Sequence, residues 1–195
     1  QNASDNLAQT TSTYGNVTVG GATCHGALLQ EQKLISGSTW AVTDYNTGVY
    51  YPNGRPGTTI HRDVALEAGG NPVDLTTTVT YDAFGSLLTA TDAMGVVTEN
   101  NVYDLAGRVT QRTGAPFQAT VNGVATTTRV VEHNTYDVWG HLTEAYATST
   151  GDTAGSKVDW VTKTYDASGR MSVITHWLWT AAVPAGEAQS TVTYA

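Results

Sequence analysis

Three observations predict an all-β chain. Threonine is abundant and tyrosines number ten against three lysines, while 20 of the 195 residues are glycine. Thr, Val and Tyr fit a pleated, half-buried surface, and frequent glycine serves many turns. One turn phrase, Asp-x-x-Gly with an apolar residue two positions after the glycine, recurs five times. Its flanks alternate apolar and polar residues, as in Val79-Thr80-Tyr81, which is the period of a strand and not of a helix.

The five copies are Asp82–Gly85, Asp92–Gly95, Asp104–Gly107, Asp137–Gly140 and Asp166–Gly169. A tyrosine precedes four of them: Tyr81, Tyr103, Tyr136 and Tyr165. Asp at the first position and Gly at the fourth mark a type I turn. The carboxylate accepts backbone N–H groups further along and closes the turn, and glycine accepts the left-handed backbone that a hairpin bulge needs. Each copy therefore predicts one β-hairpin with tyrosine at the end of the incoming strand. Repetition settles the architecture before any other reading: the Asp and Gly residues are scaffold. Asp92–Gly95 lies ten residues after the first copy and twelve before the third, so successive turns here should leave from opposite ends of the sheet.

Tyr103–Thr110 (YDLAGRVT) and Tyr165–Ser172 (YDASGRMS) resemble the YD repeat, also called the Rhs repeat, with Arg108 and Arg170 at its arginine position. Tyr81–Leu88 and Tyr136–Thr143 replace that arginine with serine and histidine. The likeness covers about Thr76 to Ser172. It is to the family of Rhs polymorphic toxins, C-type subunits of insecticidal toxin complexes, wall-associated repeat proteins and teneurins. The resemblance implies hairpins forming a spiralling, shell-type sheet, here as part of a larger array. It also implies a secreted or surface bacterial protein and an enclosed C-terminal toxin domain released by self-cleavage. The Asp-Pro-x-Gly pattern of that cleavage is missing, because no proline follows any repeat aspartate.

In chain order, residues 1–75 read as irregular or degenerate hairpins and 76–195 as the regular array, continuing beyond the C-terminus. Residues 1–12 are polar and without period. Thr13–Thr18 looks like a shortened repeat ending at Gly20-Gly21. Asn2-Ala3-Ser4 and Asn16-Val17-Thr18 fit a glycosylation acceptor, a short and common pattern. Ala27–Ile35 has helix-like spacing at Leu28, Leu29, Leu34 and Ile35, but among sheet-like surroundings it reads as two strands around Gln30-Glu31-Gln32. Thr39–Tyr51 reads as a hairpin turning at Asp44–Gly48, and Pro52–Gly57 is the densest turn cluster. Residues 67–74 form a loop. Within the array, Asn122-Gly123 is a strong hairpin signal. Thr148–Ser156 and Pro184–Ala188 read as loops.

Composition excludes several functions. The net charge is −8, and nine Lys and Arg scattered singly make no phosphate-binding surface, so no nucleic acid is expected. No apolar run approaches the length of a transmembrane helix. A single cysteine, Cys24, provides no disulfide framework. It sits beside His25, but neighbours on a strand face opposite ways. His61-Arg62-Asp63 lacks the rest of a kinase signature and reads as a strand-edge ion pair. The five histidines have no metal-ligand spacing. Catalytic residues, metals and cofactors are therefore expected to be none.

What remains is a surface. Trp177 and Trp179 share one strand face and suit stacking on sugar rings. The partners expected are neighbouring repeats of the same longer chain, an encapsulated toxin domain, a glycan or cell-surface partner, and other copies paired through edge strands.

Overall fold

The computed structural model describes residues 9–19, 21–36, 39–45, 51, 54–65, 70–121, 123–152 and 155–194. Fifteen strands and no helix occur among them. The chain divides into two compact units, Gln1–Val96 and Val97–Ala195.

The first unit runs β1 (Thr10–Val19), β2 (Ala22–Ser36), β3 (Thr39–Asp44), β4 (Thr58–Val64), β5 (Val73–Tyr81) and β6 (Leu87–Thr91), each strand antiparallel to the one before. Three sequence expectations change here. Gly15 is not a turn: β1 passes straight through it with register shifts at Thr13/Tyr14 and Gly15/Val17. A Cβ on Gly15 would press on Leu29 Cδ1 at 2.5 Å, so this glycine serves close packing. Gln30-Glu31-Gln32 is not a turn either, and β2 is one strand of 15 residues. Its polar residues are satisfied within the sheet: Gln32 Nε2 donates to Gln30 Oε1 at 2.8 Å, and Gln30 Nε2 to Asp44 Oδ1 at 2.7 Å. Asp44 is a strand residue paired with Ile60. The rest of its expected turn, residues 46–50, lies outside the described residues, as does Asn2-Ala3-Ser4.

Arg62 binds this front together. Its Nε meets Asp44 Oδ2 at 2.7 Å and its Nη1 meets Asp74 Oδ2 at 2.6 Å. Asp63 beside it has φ of 53° and donates its N–H to Asp74 Oδ1. The His-Arg-Asp run is thus an ion-paired bulge in the β4–β5 ladder, where the register shifts between His61 and Val64.

The second unit comprises β7 (Val97–Tyr103), β8 (Val109–Thr113), β9 (Phe117–Val121), β10 (Val124–Thr128), β11 (Val130–Tyr136), β12 (Leu142–Ser149), β13 (Val158–Tyr165), β14 (Met171–Thr180) and β15 (Val183–Thr193). The sheet order is β7-β8-β11-β12-β13-β14-β15, while β9 and β10 pair only with each other. That small hairpin is the Asn122-Gly123 insertion, with Val121 opposite Val124. Pro184–Ala188 is not a loop: it belongs to β15, opposite the Leu178 end of β14. Gly186, at φ of 87°, lets the strand lie directly on the Trp160 ring, where any Cβ would collide with Cζ3.

Burial is sparse. Val17, Val131, Ala147 and Trp160 are the buried apolar side chains among the described residues. On the second unit a line of rings and one cation fills the Trp160 face. His133 stacks on Tyr146 at 4.7 Å, and Lys157 Nζ lies 4.1 Å from the Tyr146 ring and 4.0 Å from the Trp160 ring. Trp160 stacks on Trp177 at 5.5 Å. Glu144 Oε1 accepts from both Lys157 Nζ and Trp160 Nε1. Burial, and to a lesser degree the Lys157 charge, push the His133 pKa down.

Candidate functional site

The five repeat turns share one set of bonds. The Asp N–H donates to the carbonyl four residues on, and the Gly N–H donates to the Asp carbonyl. Asp Oδ1 accepts two more N–H groups, two and four residues on: Phe84 and Ser86, Met94 and Val96, Ala106 and Arg108, Trp139 and His141, Ser168 and Arg170. These ten bonds lie between 2.8 and 3.0 Å. The glycines have φ between 78° and 96°, so the bulged hairpin is realised each time. In the four tyrosine-bearing copies the ladder shifts register at Tyr81, Tyr103, Tyr136 and Tyr165. Turns Asp82–Gly85 and Asp92–Gly95 lie at the two ends of β6.

Charge reinforces the turns. In Asp104 the Arg108 guanidinium is the largest influence holding the carboxyl below the usual range, followed by backbone N–H groups. In Asp82 and Asp166 the backbone N–H four residues on leads the same downward shift. For Asp137 burial pushes upward most strongly, yet the His141 ring and two backbone N–H groups together keep the carboxyl low.

The tyrosines join one hairpin to the next. The Tyr136 hydroxyl donates to the Val109 carbonyl at 3.1 Å, and the Arg108 guanidinium lies 4.6 Å over the Tyr136 ring. The next joint repeats this with another residue: the Tyr165 hydroxyl donates to the Leu142 carbonyl at 2.9 Å, and the His141 imidazole stacks on the Tyr165 ring at 4.4 Å. The residue after the glycine of one turn therefore covers the tyrosine of the next. It also presses on the next glycine. A Cβ at Gly140 would sit 3.3 Å from Arg108 Nη1, and one at Gly169 would sit 3.2 Å from His141 Nε2. Arg108 Nη1 additionally donates to the Asp137 carbonyl at 3.3 Å.

A further copy escaped the sequence reading. Tyr51 N donates to the Arg55 carbonyl and Gly54 N to the Tyr51 carbonyl, with Gly54 at φ of 77°. Tyr51 thus occupies the aspartate position of a repeat turn. Arg55 lies 5.5 Å over the Tyr81 ring, as Arg108 lies over Tyr136, and Tyr51 meets the same ring edge-on at 5.1 Å. The available signal was Gly54-Arg55 three and four residues after Tyr51.

Trp177 is half-buried. It stacks on Trp160, and its Nε1 donates to Thr162 Oγ1 at 2.8 Å. Trp179 is half-buried. Exposed aromatic surface is found elsewhere, at the turn tips: Phe84 is 93% exposed and Trp139 80%. Among the described residues, no group of three His, Cys, Asp or Glu side chains is arranged to hold a metal ion, and no helix is long and apolar enough to cross a membrane.

No family model and no curated protein matches this chain in sequence. The chain is similar to several solved structures, at 16% identity. In the crystal structure of TcdB2-TccC3-Cdc42 the match covers 88% of this chain and 10% of that chain, with a TM-score of 0.35. In TcdB2-TccC3 without its hypervariable C-terminal region it covers 95% and 11%, with a TM-score of 0.37 and the same 16% identity. In the Tc holotoxin pore of Photorhabdus luminescens it covers 88% and 10%, again at 16% identity, with a TM-score of 0.34. The chain spans about a tenth of the chains it matches.

Proposed function

We propose that this chain is a structural segment of a YD-type repeat array in a secreted or injected bacterial protein. Its sheet forms part of a shell that encloses or presents a toxin or effector domain. The observation that carries this reading is the repeated joint, in which Tyr136 and Tyr165 each bond the hairpin before them and lie beneath its Arg108 or His141. Such a joint contributes through a hydrogen bond of about 1 kcal/mol and ring contacts of about 0.5–2 kcal/mol. It can be repeated along an array of any length. The thin core supports the same role, since faces this poorly buried are completed by further surface.

The test is limited proteolysis of the longer polypeptide that carries this segment. A domain beyond the repeats should resist cleavage while the array is intact. It should become cleavable when Tyr136→Ala and Tyr165→Ala together loosen the joints. Equal cleavage of that domain with and without the array overturns the container role.

A further inference from the structure

Among the described residues, β9 and β10 bond as strands only to each other. A two-stranded hairpin on its own is marginal in water. This one is anchored on one side. At the foot of β10, Thr128 is 2% exposed and its Oγ1 accepts from Gly151 N at 3.0 Å, while Arg129 N donates to Thr150 Oγ1. Among the described residues β9 has no such tie, and its Phe117, Gln118 and Thr120 are exposed.

Sheets blunt an open edge with charge, proline or a bulge. β15 carries Pro184, Glu187 and two register shifts against β14. The β9–β10 hairpin carries none of these devices. Phe117–Thr128 holds no Asp, Glu, Lys, Arg or Pro, in a chain of net charge −8. Its register runs from Phe117 opposite Thr128 to Val121 opposite Val124 without a shift.

The turn sets the direction of the open bonds. Val121 and Val124 flank the two residues Asn122 and Gly123, and a two-residue loop closes on a hydrogen-bonded pair. Bonding then alternates along β9. Positions 121, 119 and 117 bond inward to β10, and Gln118 and Thr120 turn their backbone N–H and carbonyl outward.

We propose that β9 pairs with β9 of a second copy of this chain, antiparallel about a two-fold axis at Ala119. In that register Gln118 of each copy exchanges N–H and carbonyl bonds with Thr120 of the other, so every outward backbone group of the two residues finds a partner. Phe117, 45% exposed, falls opposite Val121 of the second copy, a pairing of residue types that favours sheet. A second copy is selected over an unrelated strand by two features. The outward groups match their own rotation about Ala119. The patch is also uncharged, so two chains of net charge −8 meet there without opposed carboxylates. The contact is isologous and closes at two copies. It does not rest on the container reading.

The experiment is sedimentation velocity of the full 195-residue chain over a wide concentration range. The parent should pass from monomer to dimer and no further. Thr120→Pro removes one outward donor from each copy and leaves the bonds to β10 in place. The dissociation constant should then rise about 30-fold, the scale of two backbone hydrogen bonds. The double variant Gln118→Lys with Thr120→Lys should stay monomeric, as should Gln118→Glu with Thr120→Glu, because like charges then face each other across the axis. Mixing these two variants should restore a dimer. Both positions are exposed, so the circular dichroism and melting temperature of each variant should match the parent's. Ala119→Cys, with Cys24→Ser, should oxidise to a linked dimer, since Cα atoms at such a non-hydrogen-bonded pair lie about 4.5 Å apart. A parent that is monomeric at every concentration would overturn the proposal. So would a dimer unchanged by the proline and lysine variants, growth beyond two copies, or a mixture of the charge variants that stays monomeric.

Discussion

The turns Asp104–Arg108 and Asp166–Arg170 carry the same chemistry in different surroundings. In both, Arg Nε donates to the turn's Asp Oδ2, at 2.7 and 2.8 Å, and Nη2 reaches the same oxygen. The Arg108 side chain is 30% exposed and the Arg170 side chain 79%. The ion pair is therefore not what buries an arginine here. The difference comes from Tyr136, the Asp137 carbonyl and Gly140, which close over Arg108. The turn prepares the guanidinium by fixing its direction, and the following hairpin makes use of it.

Four measurements by urea unfolding can break or sharpen that contrast. The largest effect should come from Gly140→Ala. It puts a side chain into the left-handed region and against Arg108, for a loss of about 2–3 kcal/mol. Gly107→Ala meets open space and should lose only the backbone part, about 1–2 kcal/mol. Equal losses would deny the close approach. Next, Arg108→Gln should cost about 1–2 kcal/mol through the ring and carbonyl contacts. Arg170→Gln should stay within about 0.5 kcal/mol of the parent, as for exposed ion pairs. Similar costs at both sites would mean that the turn, and not the tyrosine, governs the contribution.

Tyr136→Phe keeps the ring under Arg108 and removes only the hydroxyl bond to Val109, so a loss of about 1 kcal/mol is expected. A double-mutant cycle with Arg108→Gln should then show little coupling. The mildest lever is pH. His133 has a lowered pKa, so its contribution is complete above the unfolded value, about 6.5, and declines as pH falls below it. The turn carboxylates Asp82, Asp104, Asp137 and Asp166 are also lowered. Their contribution is present above about pH 4 and disappears as pH falls through their folded values. The unfolding midpoint should therefore decline in two stages on acidification. His133→Gln should remove the first stage only, and a midpoint independent of pH down to about 3 would contradict the turn bonding.

The two halves of this architecture were unequally legible in the sequence. The turns were readable because their bonds span two to four residues and depend on the chemistry of Asp and Gly alone. The joints were not. Tyr136 and the Val109 carbonyl are separated by 27 positions, and nothing local in Tyr-Asp-x-x-Gly-Arg states that the arginine covers the next tyrosine. Tyr51–Arg55 was missed because an aspartate was taken as obligatory, although the backbone bonds form without it. Pro184–Ala188 carries the composition of a loop, and only the flat ring of Trp160 beneath Gly186 explains why a strand runs there. The stacking of Trp177 on Trp160 of β13 joins residues 17 positions apart and has no local signature.

The small β9–β10 hairpin has a consequence for how such an array carries other structures. Although 17 residues separate Thr113 from Val131, the two are paired directly across β8 and β11. Gly114 N donates to the Val130 carbonyl, and Arg129 Nη1 ties the Gly114 and Val97 carbonyls at 2.8 and 2.6 Å. The insertion is pinched off at a sealed neck, and the sheet below closes as though it were absent. Any folded module whose two ends lie a strand spacing apart could be spliced in at that neck, so the scaffold has a built-in socket for passengers that leaves its own order intact.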